Sequence, residues 1–82
     1  MSSADMKLRA ILVDVLLIDE HQYQDAYGPD DIETWDSLAA VRIATAVKEE
    51  FGYELQPLEL VSIATIGDIK DVLRERLRLT FD

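Results

Sequence analysis

The sequence predicts an all-α fold: a small bundle of four helices, three main and one short, with a long first loop. Three observations carry that expectation. The 82 residues hold only three glycines and two prolines, too few breakers for a chain built on turns. Apolar residues recur at helical rather than alternating spacing in the first, middle and last parts of the chain. Capping residues stand where those stretches begin and end.

The first helix is expected from Asp5 to about Ile18, because Leu8, Ile11, Leu12, Val15 and Leu16 fall at i, i+3, i+4, i+7 and i+8. From Asp19 to Asp36 the periodicity stops. This stretch contains Gly28-Pro29 and seven acidic residues (Asp19, Glu20, Asp25, Asp30, Asp31, Glu33, Asp36) with no Lys or Arg. Irregular segments of this length in small domains are uncommon and are often functional. Tyr23, Tyr27, Ile32 and Trp35 are the side chains able to pin it to the helices. The second helix runs from Ser37 to about Phe51, with Asp36 as N-cap and Gly52 at the left-handed C-cap. A short helix is expected to begin at Pro57, since proline suits a first helical position. The last helix follows Thr65, a cap residue with Asp68 three positions on. Its apolar face is Ile66, Ile69, Val72, Leu73 and Leu77. Residues 4–80 are expected to form one domain.

Charge narrows the function. Asp and Glu number 17 against 8 Lys and Arg, a formal charge of −9. Phosphate backbones need the opposite sign, so nucleic acid is not the expected partner. Basic protein surfaces are. With no cysteine, disulfides, thiolate catalysis and cysteine-ligated zinc are excluded. No apolar run approaches the ~20 residues that span a bilayer. The polar start MSSADMK does not read as a secretory signal, so the cytoplasm, away from membranes, is the expected location; the chain is expected to be a monomer. The acidic loop lacks the ligand spacing of an EF-hand, and no metal site is expected.

The second helix has two faces. At about 100° per residue, Ala39, Ile43, Ala46, Val47 and Phe51 gather on one side, assigned to the core. Leu38, Val41, Arg42, Thr45 and Glu49 gather nearly opposite, with Ser37 at the border. Two exposed apolar residues are ordinary on a small domain, but an apolar centre with a polar rim also suits a partner surface.

The stretch Trp35-Asp36-Ser37-Leu38, followed by Val41, Ile43 and Glu49-Glu50-Phe51-Gly52, resembles acyl carrier proteins and related thiolation domains. So does Ile63-Ala64-Thr65-Ile66-Gly67-Asp68-Ile69, and the likeness extends from about Leu8 to Leu77. The resemblance implies that Ser37 bears 4′-phosphopantetheine, added by a phosphopantetheinyl transferase, with Asp36 helping that enzyme position the serine. It implies a non-catalytic carrier that holds acyl groups as thioesters. Its further partners would be acyl-loading and acyl-processing enzymes. Docking would fall on Leu38, Val41, Arg42, Thr45 and Glu49 of the helix and on Asp30, Asp31, Glu33 and Trp35 of the loop. An enzymatic serine would need a general base, and the lone histidine, His21, lies in the acidic loop without a nucleophile-elbow signature.

The family pattern is not followed throughout. Arg42 and Lys48 stand where fatty-acid carriers are usually acidic, and Thr45 where they are usually apolar. Trp35 before Asp-Ser-Leu is closer to stand-alone carriers of secondary metabolism, which favours polyketide or related biosynthesis. An aminoacyl or peptidyl carrier loaded by an adenylating enzyme, a fatty-acid carrier and an unmodified helical adaptor remain alternatives.

Overall fold

The computed structural model describes residues 3–79, so the expected domain end at residue 80 lies outside the described residues. The described residues form four α-helices: α1 (Ser3–Leu16), α2 (Ser37–Phe51), α3 (Pro57–Ser62) and α4 (Ile66–Leu77). Among the described residues there is no strand, and no helix is long and apolar enough to cross a membrane. The all-α expectation, three main helices and a short one, holds.

One core unites them. Leu8, Ile11, Leu12 and Leu16 of α1 meet Ala39, Ile43 and Val47 of α2 and Ile66, Ile69 and Leu73 of α4. Ile18, Ile32, Trp35 and Leu55 join from the connections. On α2 the buried residues are those assigned to the core face, with Ala46 and Phe51 half-buried at its edge. At ~1.5–3 kcal/mol for each fully buried aliphatic side chain, this shared core holds short helices that would be marginal alone.

The helix ends follow local chemistry. Asp36 Oδ1 accepts the Ala39 N–H at 2.9 Å, and Gly52 closes α2 at φ 72. Thr65 Oγ1 accepts the Asp68 N–H at 3.2 Å, while Asp68 Oδ2 accepts the Ala64 N–H at 2.8 Å. Pro57 opens α3, where Glu59 Oε1 accepts the Gln56 N–H at 3.0 Å.

The end of α1 differs from expectation. The helix stops at Leu16 because Leu17 adopts a left-handed φ of 55, a conformation usually left to glycine. The reversal leaves Leu17 82% exposed and turns Ile18 into the core.

The long loop is irregular but ordered by turns. A 3-10 turn spans Glu20–Gln22. Gly28 O accepts both the Asp31 and the Ile32 N–H at 2.9 Å, and Ile32 O accepts the Trp35 N–H at 3.1 Å. Thr34 Oγ1 donates to Leu16 O and ties the loop to the end of α1. Gly28 passes so close to Ala64 that a Cβ on it would lie 1.9 Å from the Ala64 carbonyl oxygen. Ile32 and Trp35 are buried and Tyr23 half-buried, whereas Tyr27 is anchored through its backbone.

Candidate functional site

Ser37 is the first residue of α2 and is exposed. The first N–H groups of a helix have no intrahelical acceptor and carry the positive end of its dipole. A phosphodiester on a first-turn serine is therefore stabilised by the helix that presents it. Asp36 lies beside it, its carboxylate engaged as the N-cap.

The serine opens onto a groove of about 540 Å³ between the loop, α2 and α3. Pro29, Trp35 and Asp36 form one side, Ser37, Ala40 and Val41 the floor, and Pro57, Leu60, Val61 and Ile63 the other side. Its surface is mostly apolar, interrupted at the mouth by Asp36 and Ser37. An exposed hydroxyl, a helix N-terminus and an adjoining apolar groove together fit a phosphodiester-linked arm.

The expected docking residues divide into two groups. Leu38 (60% exposed) and Val41 (56%) stand out on α2 with Arg42, Thr45 and Glu49 also exposed, while Asp30, Asp31 and Glu33 are exposed on the loop. Trp35 requires correction. It is 6% exposed, because the turn ending on its N–H directs the indole inward with Ile32. It forms the inner wall of the groove rather than part of the outer surface.

Each wall is anchored to α4. On the loop side, Lys70 Nζ lies 2.6 Å from Asp25 Oδ1 and 3.4 Å from Asp5 Oδ1. The same ammonium sits 4.8 Å from the Tyr23 ring centroid, and the Tyr23 hydroxyl donates to Asp5 Oδ1 at 2.8 Å. Burial, then the Asp5 carboxylate, push the Tyr23 phenol well above its ordinary value, so it remains a donor across the physiological range. On the α3 side, the Tyr53 hydroxyl donates to Glu59 Oε1 at 2.5 Å and Arg76 Nε donates to Glu59 Oε2 at 3.3 Å. The Tyr53 hydrogen bond, with further help from the Gln56 N–H and Arg76, holds the Glu59 carboxyl below its ordinary value.

Sequence reasoning missed Lys70, Asp5 and Asp25, and also Leu58 and Val61, the 78% and 79% exposed apolar residues of α3. A signal existed for the first two. Lys70 lies on the buried stripe Ile66-Ile69-Leu73, and Asp5 on the stripe Leu8-Leu12-Leu16. A charge at such a position needs a buried partner. Among the described residues, no cluster of three or more His, Asp or Glu is placed to hold a metal ion.

A small helical fold that offers an accessible helix-start hydroxyl beside an apolar groove has the form of a carrier. Comparison with known proteins agrees. Residues 35–73, which include Ser37, Trp35 and the α3 side of the groove, match the family described as "Phosphopantetheine attachment site". The chain is 35% identical over 74 residues to an acyl carrier protein of Petrotoga mobilis, covering 89% of this chain and 86% of that protein. It is 32% identical over 72 residues to an acyl carrier protein of Thermosynechococcus vestitus, covering 87% and 88% respectively. The chain belongs to the acyl carrier protein family. It is a non-catalytic carrier of covalently bound 4′-phosphopantetheine, and carrier proteins of this kind interact with phosphopantetheinyl transferases and acyl-processing enzymes.

Proposed function

We propose that Ser37 is the attachment point and that this chain, as a monomer in the cytoplasm, carries acyl intermediates of a polyketide or related secondary-metabolite pathway. Residues 4–80 would constitute the carrier domain. The observation that carries the attachment is the exposed Ser37 hydroxyl at the start of α2, at the mouth of an apolar groove. The bound arm supplies a thiol that holds the acyl group as a thioester. The chain's own residues do the rest: Asp36 fixes the helix start, the α2 N-terminus stabilises the phosphodiester, and the groove takes apolar cargo. The pathway assignment is supported by the exposed face of α2, where Arg42, Thr45 and Lys48 replace the acidic and apolar residues that fatty-acid carriers usually present.

Partner enzymes dock on two adjoining surfaces in this reading, the Leu38/Val41 face of α2 rimmed by Arg42, Thr45 and Glu49, and the acidic Asp30-Asp31-Glu33 segment. Incubation with coenzyme A and a broad-specificity phosphopantetheinyl transferase, followed by intact mass, tests the attachment. The wild-type chain gains the mass of the arm, and Ser37→Ala does not. No gain in wild type, or gain persisting in Ser37→Ala, overturns the reading. Charge reversal at Asp30, Asp31 or Glu33 weakens partner affinity and its salt dependence more than reversal at Glu49. Equal effects would remove the loop from the docking surface.

A further inference from the structure

We propose that Lys70 is a positioning residue for modification of the carrier: from behind the groove it fixes the loop that leads into Ser37. The proposal rests on Ser37 being the modified residue. Lys70 itself is remote from the exposed face, with a side chain only 10% exposed. Its ammonium joins two carboxylates of unlike character. Asp5, in α1, is 4% exposed and belongs to the fixed body of the protein, whereas Asp25, in the loop, is 63% exposed. The inner carboxylate and the Tyr23 ring hold the ammonium in place, and the ammonium holds the loop.

Backbone bonds carry that grip along the chain. The first turn of α4 lacks intrahelical acceptors for its N–H groups, and the loop supplies two of them. The Gly67 N–H donates to Asp25 O at 3.0 Å, and the Ile66 N–H to Tyr27 O at 2.8 Å. Gly28 follows, seated against the Ala64 carbonyl, with its own N–H donating to Asp31 Oδ2 at 3.0 Å. Gly28 O then receives the Ile32 N–H, and Ile32 O the Trp35 N–H. Each step lies within four residues of the next, from the Lys70–Asp25 pair to Trp35, two residues before Ser37. A loop with no ladder of its own takes its shape from these contacts, and with it the placement of Asp30, Asp31 and Glu33. Lys70 acts through the loop and does not itself touch the reacting hydroxyl.

Asp25→Ala tests this because it opens the loop side while leaving the buried Lys70–Asp5 pair in place. The full-length chain is studied in two ways: backbone amide exchange by NMR, and steady-state loading by a phosphopantetheinyl transferase with coenzyme A. The expected result is faster exchange at the Ile66 and Gly67 amides, with the interior amides of α2 at Ile43 and Val47 unchanged. The KM for the carrier rises roughly fivefold, within the coupling range of contacting residues, with kcat unchanged. Lys70→Arg, which keeps the cation, retains the wild-type KM. Unchanged exchange at Ile66 and Gly67 would mean that Asp25 acts by touching the transferase, which overturns the proposal. So would accelerated exchange with an unchanged KM. If the wild-type chain is not loaded at all, the Ser37 reading fails instead, and the exchange comparison still reports whether the clasp holds the loop.

Discussion

The two walls of the groove beside Ser37 are tied to the same helix by the same three groups, a tyrosine hydroxyl, a carboxylate and a cation from α4. They differ in depth. The loop wall is held by Lys70, Asp5 and Tyr23, with the ammonium and the Asp5 carboxylate buried. The α3 wall is held by Arg76, Glu59 and Tyr53, and there the cation is the exposed member, the guanidinium being 59% and the Glu59 carboxylate 15% exposed. Depth decides what each tie contributes. A buried pair adds little over an apolar replacement but is costly to break on one side, because the remaining charge cannot reach water. A pair whose cation stands in water is screened by water and salt and contributes less. The loop wall is thus the one whose integrity is coupled to folding, and the α3 wall the one that solution conditions can loosen.

The largest expected effect comes from breaking the deep tie. Lys70→Met removes the ammonium while the buried Asp5 carboxylate keeps the Tyr23 hydroxyl, a change that costs up to about 3–5 kcal/mol, the range for breaking a buried pair on one side. Urea denaturation of the two proteins measures it. A loss no greater than that of an exposed substitution would erase the distinction between the walls.

This contrast also marks how far the sequence can be read. The bounds of α2 are legible to the residue, since Asp36, Gly52 and the apolar stripe all act within about four residues of the backbone they direct. The likeness of Trp35-Asp36-Ser37-Leu38 to carrier proteins is legible for the same reason: it is a contiguous run. The loop is another matter. Its partners lie far along the chain, 18 positions for Tyr23 with Asp5 and 45 for Lys70 with Asp25. No window of periodicity joins such positions. Trp35 illustrates the cost, because a tryptophan beside an exposed motif reads as a docking residue until the turn at Ile32 is known to face it inward. The end of α1 failed differently: Leu17 takes a conformation that its side chain disfavours, so nothing local announces it.

A middling effect is expected where the walls meet. Asp36 lines the loop side of the groove and caps the helix that forms its floor. Asp36→Ala leaves the Ala39 N–H without its side-chain acceptor and costs about 1 kcal/mol, the usual price of a lost N-cap. The denaturation midpoint should fall while the steepness of the transition, which tracks exposed area, stays constant. A loss as large as that of Lys70→Met would show that the cap also supports the loop wall.

The smallest effects belong to the shallow tie, and its sensitivity to pH separates it from the deep one. The folded state lowers the Glu59 carboxyl, chiefly through the Tyr53 hydroxyl. A depressed carboxylate favours folding fully above the ordinary glutamate value of about 4.3 and loses that contribution as the pH falls through the folded value. Many carboxylates titrate in this window, so the informative quantity is the difference between wild type and Glu59→Gln. Their midpoints should be furthest apart near neutrality and converge on acidification. Arg76→Ala should move the neutral midpoint less than any change above. Its small effect should vanish at about 0.5 M salt, where screening lengths fall to a few ångströms, while that of Lys70→Met persists because no salt reaches the buried pair. If Arg76→Ala instead proved as costly and as salt-resistant as Lys70→Met, the α3 wall would be held as firmly as the loop, and depth would not explain the difference between them.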